Sequence, residues 1–229
     1  MTLTLFFHPL ASFCHKVLIA LYENETPFKG HIVDLMDERA SAKFLGMWPV
    51  GKIPLLRDDG RNLTIPETTI IIEYLDRRHP GRHALLPKDA GQRLDARLWD
   101  RFFDLYVHVP MQKVVTDRLR PEGERDLRGV ADAKATLSTA YDMIEQHMAD
   151  RTWAIGESFS IADCAAAPAL FYAGIVLPFH ASHPNLAAYF ERLLQRPSFK
   201  RVLAEARPYF NLFPFKNDIP ARFLGGQQS

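Results

Sequence analysis

Every strand signal in this 229-residue chain lies before residue 66, and everything after about residue 88 is patterned as helix. That one-sided distribution predicts a small α/β unit joined to an all-helical unit, because alternating strands and helices build a mixed sheet while an uninterrupted helical run builds a bundle. Leu3 to Phe7 is apolar and β-prone, and Pro9 stops it. From Ser12 the apolar positions Cys14, Val17, Leu18 and Leu21 recur at helical spacing, with Ser12 expected as the N-cap, and Asn24 with Glu25 closes the helix. Phe28 to Val33 gives a second strand, so the chain opens as a βαβ unit with a parallel pair. Ala40 to Leu45 is a short helix, followed by the turn formers Met47 to Lys52. Ile53 to Leu56 and Asn62 to Ile65 flank Asp58-Asp59-Gly60-Arg61, an antiparallel hairpin whose Gly60 is expected to supply a positive φ. Pro66 ends the second strand, and Glu67 to Arg77 is helical until His79-Pro80-Gly81 breaks it.

The Pro- and Gly-containing stretch from His79 to Lys88 marks a boundary, giving two expected domains at 1–80 and 89–229. In the second, Leu94, Leu98, Phe102, Leu105 and Val109 trace one long helix up to Pro110, and Ala133, Leu137, Tyr141, Ile144 and Met148 trace another. Further helices are expected at Ser160 to Gly174, Asn185 to Gln195 and Ser198 to Glu205, the first opened by the capping-box pattern Ser160-Ile161-Ala162-Asp163. From Pro208 on, Phe210, Phe213 and Phe215 suggest an extended strap, with the final residues fraying.

Composition removes several function classes. Lys plus Arg is 28 against 27 for Asp plus Glu, so the chain lacks the basic field that a nucleic acid or an anionic membrane would need. Two cysteines, Cys14 and Cys164, make no disulfide framework and no zinc spacing, which fits a reducing compartment. No stretch approaches the roughly 18 apolar residues of a membrane span, and the N-terminus lacks a basic leader, so a cytoplasmic protein is expected. The nine histidines are scattered and are expected at the surface or at helix ends; no metal site is indicated. No GxGxxG, P-loop or GxSxG motif is present.

Three features carry possible chemistry. A proline at the head of an interior strand removes a ladder donor, so Ile53-Pro54 is either an edge-strand proline or a cis bond whose Ile53 backbone pairs with an extended, peptide-like ligand. Glu67 and Thr68, opening a helix after a strand, are either an ordinary acidic first turn or a seat for an amino-acid head group, with Glu67 on the ammonium and helix N–H groups on the carboxylate. Ser12 and Cys14, at the first strand-to-helix turn, are either a cap and a buried thiol or the donors and nucleophile of a thiol site.

In this order, and followed by a helical half, these motifs resemble the soluble glutathione transferases of the bacterial type over residues 3 to about 207. Ser12, Ile53-Pro54, Glu67-Thr68, the loop Trp48 to Lys52 and the capping box at Ser160 to Asp163 each resemble a family motif. The resemblance implies a thioredoxin-like βαβαββα domain, then an all-helical domain. It implies glutathione as co-substrate, a homodimer, and conjugation of the glutathione thiolate to small hydrophobic electrophiles, a detoxifying activity. It also implies that Pro54 is cis, that the Ile53 backbone pairs with the cysteinyl part of glutathione, that Glu67 and Thr68 bind the γ-glutamyl end, and that Lys52 lies near the glycyl carboxylate. One position departs: aligning Cys14 to Val17 with the family's Cys-Arg-x-Val run puts Ala11 where the activating serine would stand, leaving Ser12, Cys14 or backbone N–H groups to act. The electrophile pocket is expected from Tyr106, His108, Met111, Tyr172 and the tail residues Phe213 and Phe215. A glutathione-dependent isomerase, reductase or dehalogenase, and a non-catalytic regulatory protein, are the alternative functions on the same fold.

Overall fold

A computed structural model describes residues 2–34 and 38–225 of the chain; the last residues, 226–229, expected to fray, lie outside the described residues. Strand β1 (Leu3–Phe7), helix α1 (Ser12–Glu23), β2 (Lys29–Ile32), α2 (Glu38–Met47), β3 (Leu55–Asp58), β4 (Leu63–Ile65) and α3 (Thr68–Arg78) follow the expected βαβαββα order. The sheet runs β2-β1-β3-β4, with β1 parallel to β2 and antiparallel to β3, and β3 antiparallel to β4. Because strand side chains alternate, each strand feeds two layers. Leu5 stands opposite Leu56 and joins the main core, whereas Phe6 stands opposite Leu55, which packs with Val33 and Phe44 under α2. The hairpin turn differs from expectation in one detail: the left-handed residue is Asn62, at φ 54°, and not Gly60. Asn tolerates that region because its short amide bonds locally, and here its side-chain oxygen accepts from Arg57.

The helical half comprises α4 (Ala90–Phe102), α5 (Val109–Asp117), α6 (Leu127–His147), α7 (Ile161–Val176), α8 (Pro184–Gln195), α9 (Pro197–Ala206) and the short α10 (Ala221–Leu224). Helix α7 sits at the centre, its Ala-rich sequence buried almost all round by α1, α4, α5 and α8. Its capping box is present: the Asp163 carboxylate accepts from the Ser160 N–H at 2.8 Å, and also from the Ala154 N–H at 2.9 Å and the Tyr189 hydroxyl at 2.6 Å. One continuous apolar cluster runs from β1 and α1 into α7, α8 and α9, so the two halves share a core.

Two expectations about helix ends are corrected. The N-cap of α1 is Ala11, with no side-chain cap bond, and Ser12 is the first helical residue. Pro110 does not end the long helix: a π-type turn over Phe103–His108 joins α4 to α5, and Pro110 sits in the first turn of α5, where a missing N–H is tolerated.

Candidate functional site

Three chain segments of the first half end at one cleft of about 440 Å³. The first is the turn from β1 into α1. Its Leu10 N–H donates to His8 Nδ1 at 3.1 Å, its Ala11 N–H to the His8 carbonyl at 3.0 Å, and the Leu10 carbonyl accepts from the buried Tyr172 hydroxyl at 2.7 Å. These bonds hold Ala11 and Phe13 at the cleft wall. The second is the run Gly51-Lys52-Ile53-Pro54 leading into β3, with Gly51 at φ 71°, a conformation suited to a residue without Cβ, and the Ile53–Pro54 bond cis. The third is the start of α3, where Glu67 caps the helix at φ 67° and ψ 120°, with Thr68 beside it. A non-glycine residue at positive φ is disfavoured by its own Cβ and persists where surrounding structure holds it, often at a ligand site. All of Lys52, Ile53, Pro54, Glu67 and Thr68 therefore face one space.

The opposite wall comes from the second half: Arg101, Asp104, Leu105, Val109 and Gln112, on one face of the α4–α5 helical run. The aromatic and sulfur residues expected there are elsewhere. Met111 and His108 are buried in the core, Tyr172 is buried behind the α1 turn, Phe213 is buried against Tyr172, and Tyr106 leans on Phe102. Phe215 packs on Phe213, with Arg118 over its ring. None of these lines the cleft among the described residues. Phe102, Phe103, Val107 and Met111 of this helical run take the core, where burial stabilises them most, leaving Leu105, Val109 and the polar residues at the cleft.

Ser12 and Cys14 lie behind the wall rather than on it. Ser12 is buried, and Cys14 is wholly buried, its thiol pushed up to about 12 by desolvation, so it is held as the inert protonated form at neutral pH. His15 is buried as well, contrary to the surface expectation; its Nε2–H donates to the Pro9 carbonyl at 2.5 Å, and burial lowers its pKa to about 4.

Behind Asp104 of the cleft wall lies a buried ionic cluster that was not anticipated from the sequence. Lys16, on α1, places Nζ 2.7 Å from Asp100 and 2.8 Å from Asp104, and donates to Thr69 of α3 at 3.2 Å. Thr69 donates in turn to Asp100 at 2.6 Å. One lysine thus serves two carboxylates from the second half. Burial pushes Asp100 up, while at Asp104 the attraction of Lys16 and the nearby His108 outweigh burial and hold the carboxyl below its usual range. His108 is wholly buried, stacked on Phe13 at 4.3 Å between ring centres, with Nδ1 3.8 Å from Asp104. The sequence signal for this cluster is a lysine inside an otherwise apolar helix, together with aspartates four residues apart on another.

Comparisons with known proteins agree on one group. Residues 5–83 match the family model "Glutathione S-transferase, N-terminal domain", and residues 122–192 match "Glutathione S-transferase, C-terminal domain". The chain is 26% identical over 190 residues to glutathione S-transferase GstB of Escherichia coli (strain K12), covering 82% of this chain and 91% of that protein. It is 30% identical over 181 residues to the glutathione S-transferase-like protein LUC7 of a Fusarium species, covering 77% and 79%. Among solved structures, a glutathione S-transferase from Methylobacillus flagellatus KT with glutathione bound superposes with a TM-score of 0.81 at 27% identity, over 87% of this chain and 98% of that one.

Proposed function

The chain belongs to the glutathione S-transferase family, and from that premise we propose that its cleft binds glutathione and conjugates the glutathione thiolate to small hydrophobic electrophiles. The observation that carries this reading is the convergence on one cleft of the cis Ile53–Pro54 step, the left-handed Glu67 with Thr68, and the start of α1. Glu67 receives the γ-glutamyl ammonium, and the N–H groups and hydroxyl at Thr68 receive its carboxylate, which the positive end of α3 also favours. The Ile53 backbone pairs with the cysteinyl unit in the manner of an added strand, and Lys52 faces the glycyl carboxylate. The thiol then lies at the start of α1, beside Ala11.

Ala11 offers no hydroxyl and the Ser12 side chain is buried behind the wall, so thiolate stabilisation falls to the unpaired N–H groups of the first turn of α1 and its dipole. Lowering the thiol pKa from about 8.5 towards 6–7 raises the thiolate fraction at neutral pH more than tenfold. The thiolate sulfur attacks the electrophilic carbon, forming a C–S bond as the leaving group departs, the thiol proton having gone to solvent. The electrophile rests against Phe13, Leu105 and Val109, a largely apolar surface suited to hydrophobic substrates. Exposed apolar side chains on α3 and α4 make the protein a homodimer in this reading.

Glutathione titration with ultraviolet detection of the bound thiolate tests the site. Wild type is expected to bind with a thiol pKa well below about 8.5. Ser12→Ala is expected to raise it by no more than about one pH unit, the worth of a single hydrogen bond, with the backbone retaining the rest. A return all the way to the free value would place activation on the Ser12 hydroxyl alone, and a wild type that does not bind glutathione would overturn the enzyme reading.

A further inference from the structure

Arg101 is a cation in the cleft that none of the motifs accounts for. Its position along the cleft follows from how α1 lies on the opposite wall. Phe13, at the start of α1, stacks on His108, whereas Lys16, one turn further, meets Asp100 and Asp104. The thiol end of the cleft is therefore level with residue 108, and Arg101 lies seven residues back along the helical run, about 10 Å away. At that level α3 approaches, since Thr69 bonds Asp100, the residue before Arg101. Arg101 thus stands across from Glu67 and Thr68. An extended tripeptide-sized ligand spans about 10 Å, so a glutathione whose thiol sits at α1 places its γ-glutamyl head there. The guanidinium is half exposed and held by one nitrogen, Nη1 to Asp104 Oδ2 at 3.3 Å. Asp104 is met more closely by Lys16, and Arg101 itself lines the cleft.

Resting on the glutathione reading above, we infer that Arg101 binds the α-carboxylate of the γ-glutamyl group, making a second, charged anchor for that carboxylate from the helical half of the same chain. A cation at that end favours the carboxylate, and with Lys16 committed to the buried aspartates and Lys52 assigned to the glycyl end, Arg101 is the cation left among the described residues that line the cleft. A guanidinium matches a carboxylate's two oxygens, which an ammonium does not. Calorimetric titration with glutathione and with γ-aminobutyryl-cysteinyl-glycine, identical except for that carboxylate, tests the assignment on wild type, Arg101→Leu and Arg101→Lys. Wild type is expected to prefer glutathione by at least about tenfold. Arg101→Leu should lose about tenfold of that preference, binding glutathione about tenfold more weakly and the analogue as before, with the Thr68 anchor keeping the remainder, while Arg101→Lys falls between. Equal weakening for both ligands, or no change for either, would overturn the assignment; a raised KM for an anionic electrophile with glutathione affinity intact would do so as well, placing Arg101 at the second substrate. A wild type that binds neither ligand would instead overturn the glutathione reading itself.

Discussion

His15 shows how one buried side chain sets a pH dependence that surface charge does not. Folded, it stays neutral down to about pH 4 because desolvation outweighs its bond to the Pro9 carbonyl. In the unfolded chain it takes a proton below about pH 6.5. Between these values the unfolded state binds more protons, so stability rises with pH: the contribution is complete above pH 6.5 and is lost progressively as pH falls to about 4, amounting to about 3 kcal/mol. His108, also buried and lowered, acts in the same direction. His15→Gln keeps a donor for Pro9 but cannot titrate. Urea unfolding at pH 7 and at pH 4.5 should therefore show a smaller acid loss in the variant than in wild type, and identical losses would remove His15 from the account.

At the scale of elements, Lys16 bolts α1 and α3 to α4, and its worth lies in what its removal would strand. Lys16→Met leaves two buried carboxylates with only the half-exposed Arg101 guanidinium, on Asp104, as a cation, which should cost about 3–5 kcal/mol. Adding Asp100→Asn and Asp104→Asn removes the stranded charges, and the triple variant should recover most of the loss in the denaturation midpoint; a triple variant as unstable as the single would mean that packing, not charge, sets the cost. This junction also marks where the sequence stops being informative. The strands and helices were legible because their apolar periods of two and 3.6 are local. The Ile53–Pro54 step was legible as a motif, since a proline at a strand head is itself unusual, whereas the left-handed backbone of Glu67 was not, because an acidic residue at a helix start is ordinary. Lys16 finds its partners far along the chain, and no local spacing announces such a pairing. The cleft wall differs for a related reason: aromatic and methionine residues mark where a helix is buried, so Met111 and His108 pointed at the core, while of the residues that line the cleft Arg101 and Gln112 read as an ordinary solvent face and Leu105 and Val109 as part of the helix's apolar stripe. The π-type turn at Phe103–His108 compounds this, because it shifts which residues share a face without any residue that would betray it.

For the whole molecule, the shared core and the unshared surface lead to different expectations. The two halves pack through one apolar cluster and through Glu23, which accepts from Arg196 and Ser198, so neither half is built to stand alone. One face behaves otherwise: Ile70 of α3 is 53% exposed, Leu94 and Leu98 of α4 are 69% and 61% exposed, and the paired charges of Glu73 and Arg97 lie between the helices at 2.6 Å. In the proposed homodimer these apolar side chains on adjacent elements, with charges beside them, form the interface core. A two-fold dimer uses the same patch twice, so one substitution removes two contacts. Each buried leucine is worth about 1.5–3 kcal/mol, and Leu98→Glu therefore forfeits about 3–6 kcal/mol of association, which weakens the dimer by roughly two to four orders of magnitude. Sedimentation velocity at micromolar concentration should find wild type as a dimer and Leu98→Glu as a monomer with unchanged circular dichroism. A wild type that sediments as a monomer, or a variant that stays dimeric, would show that this face meets something other than its own copy.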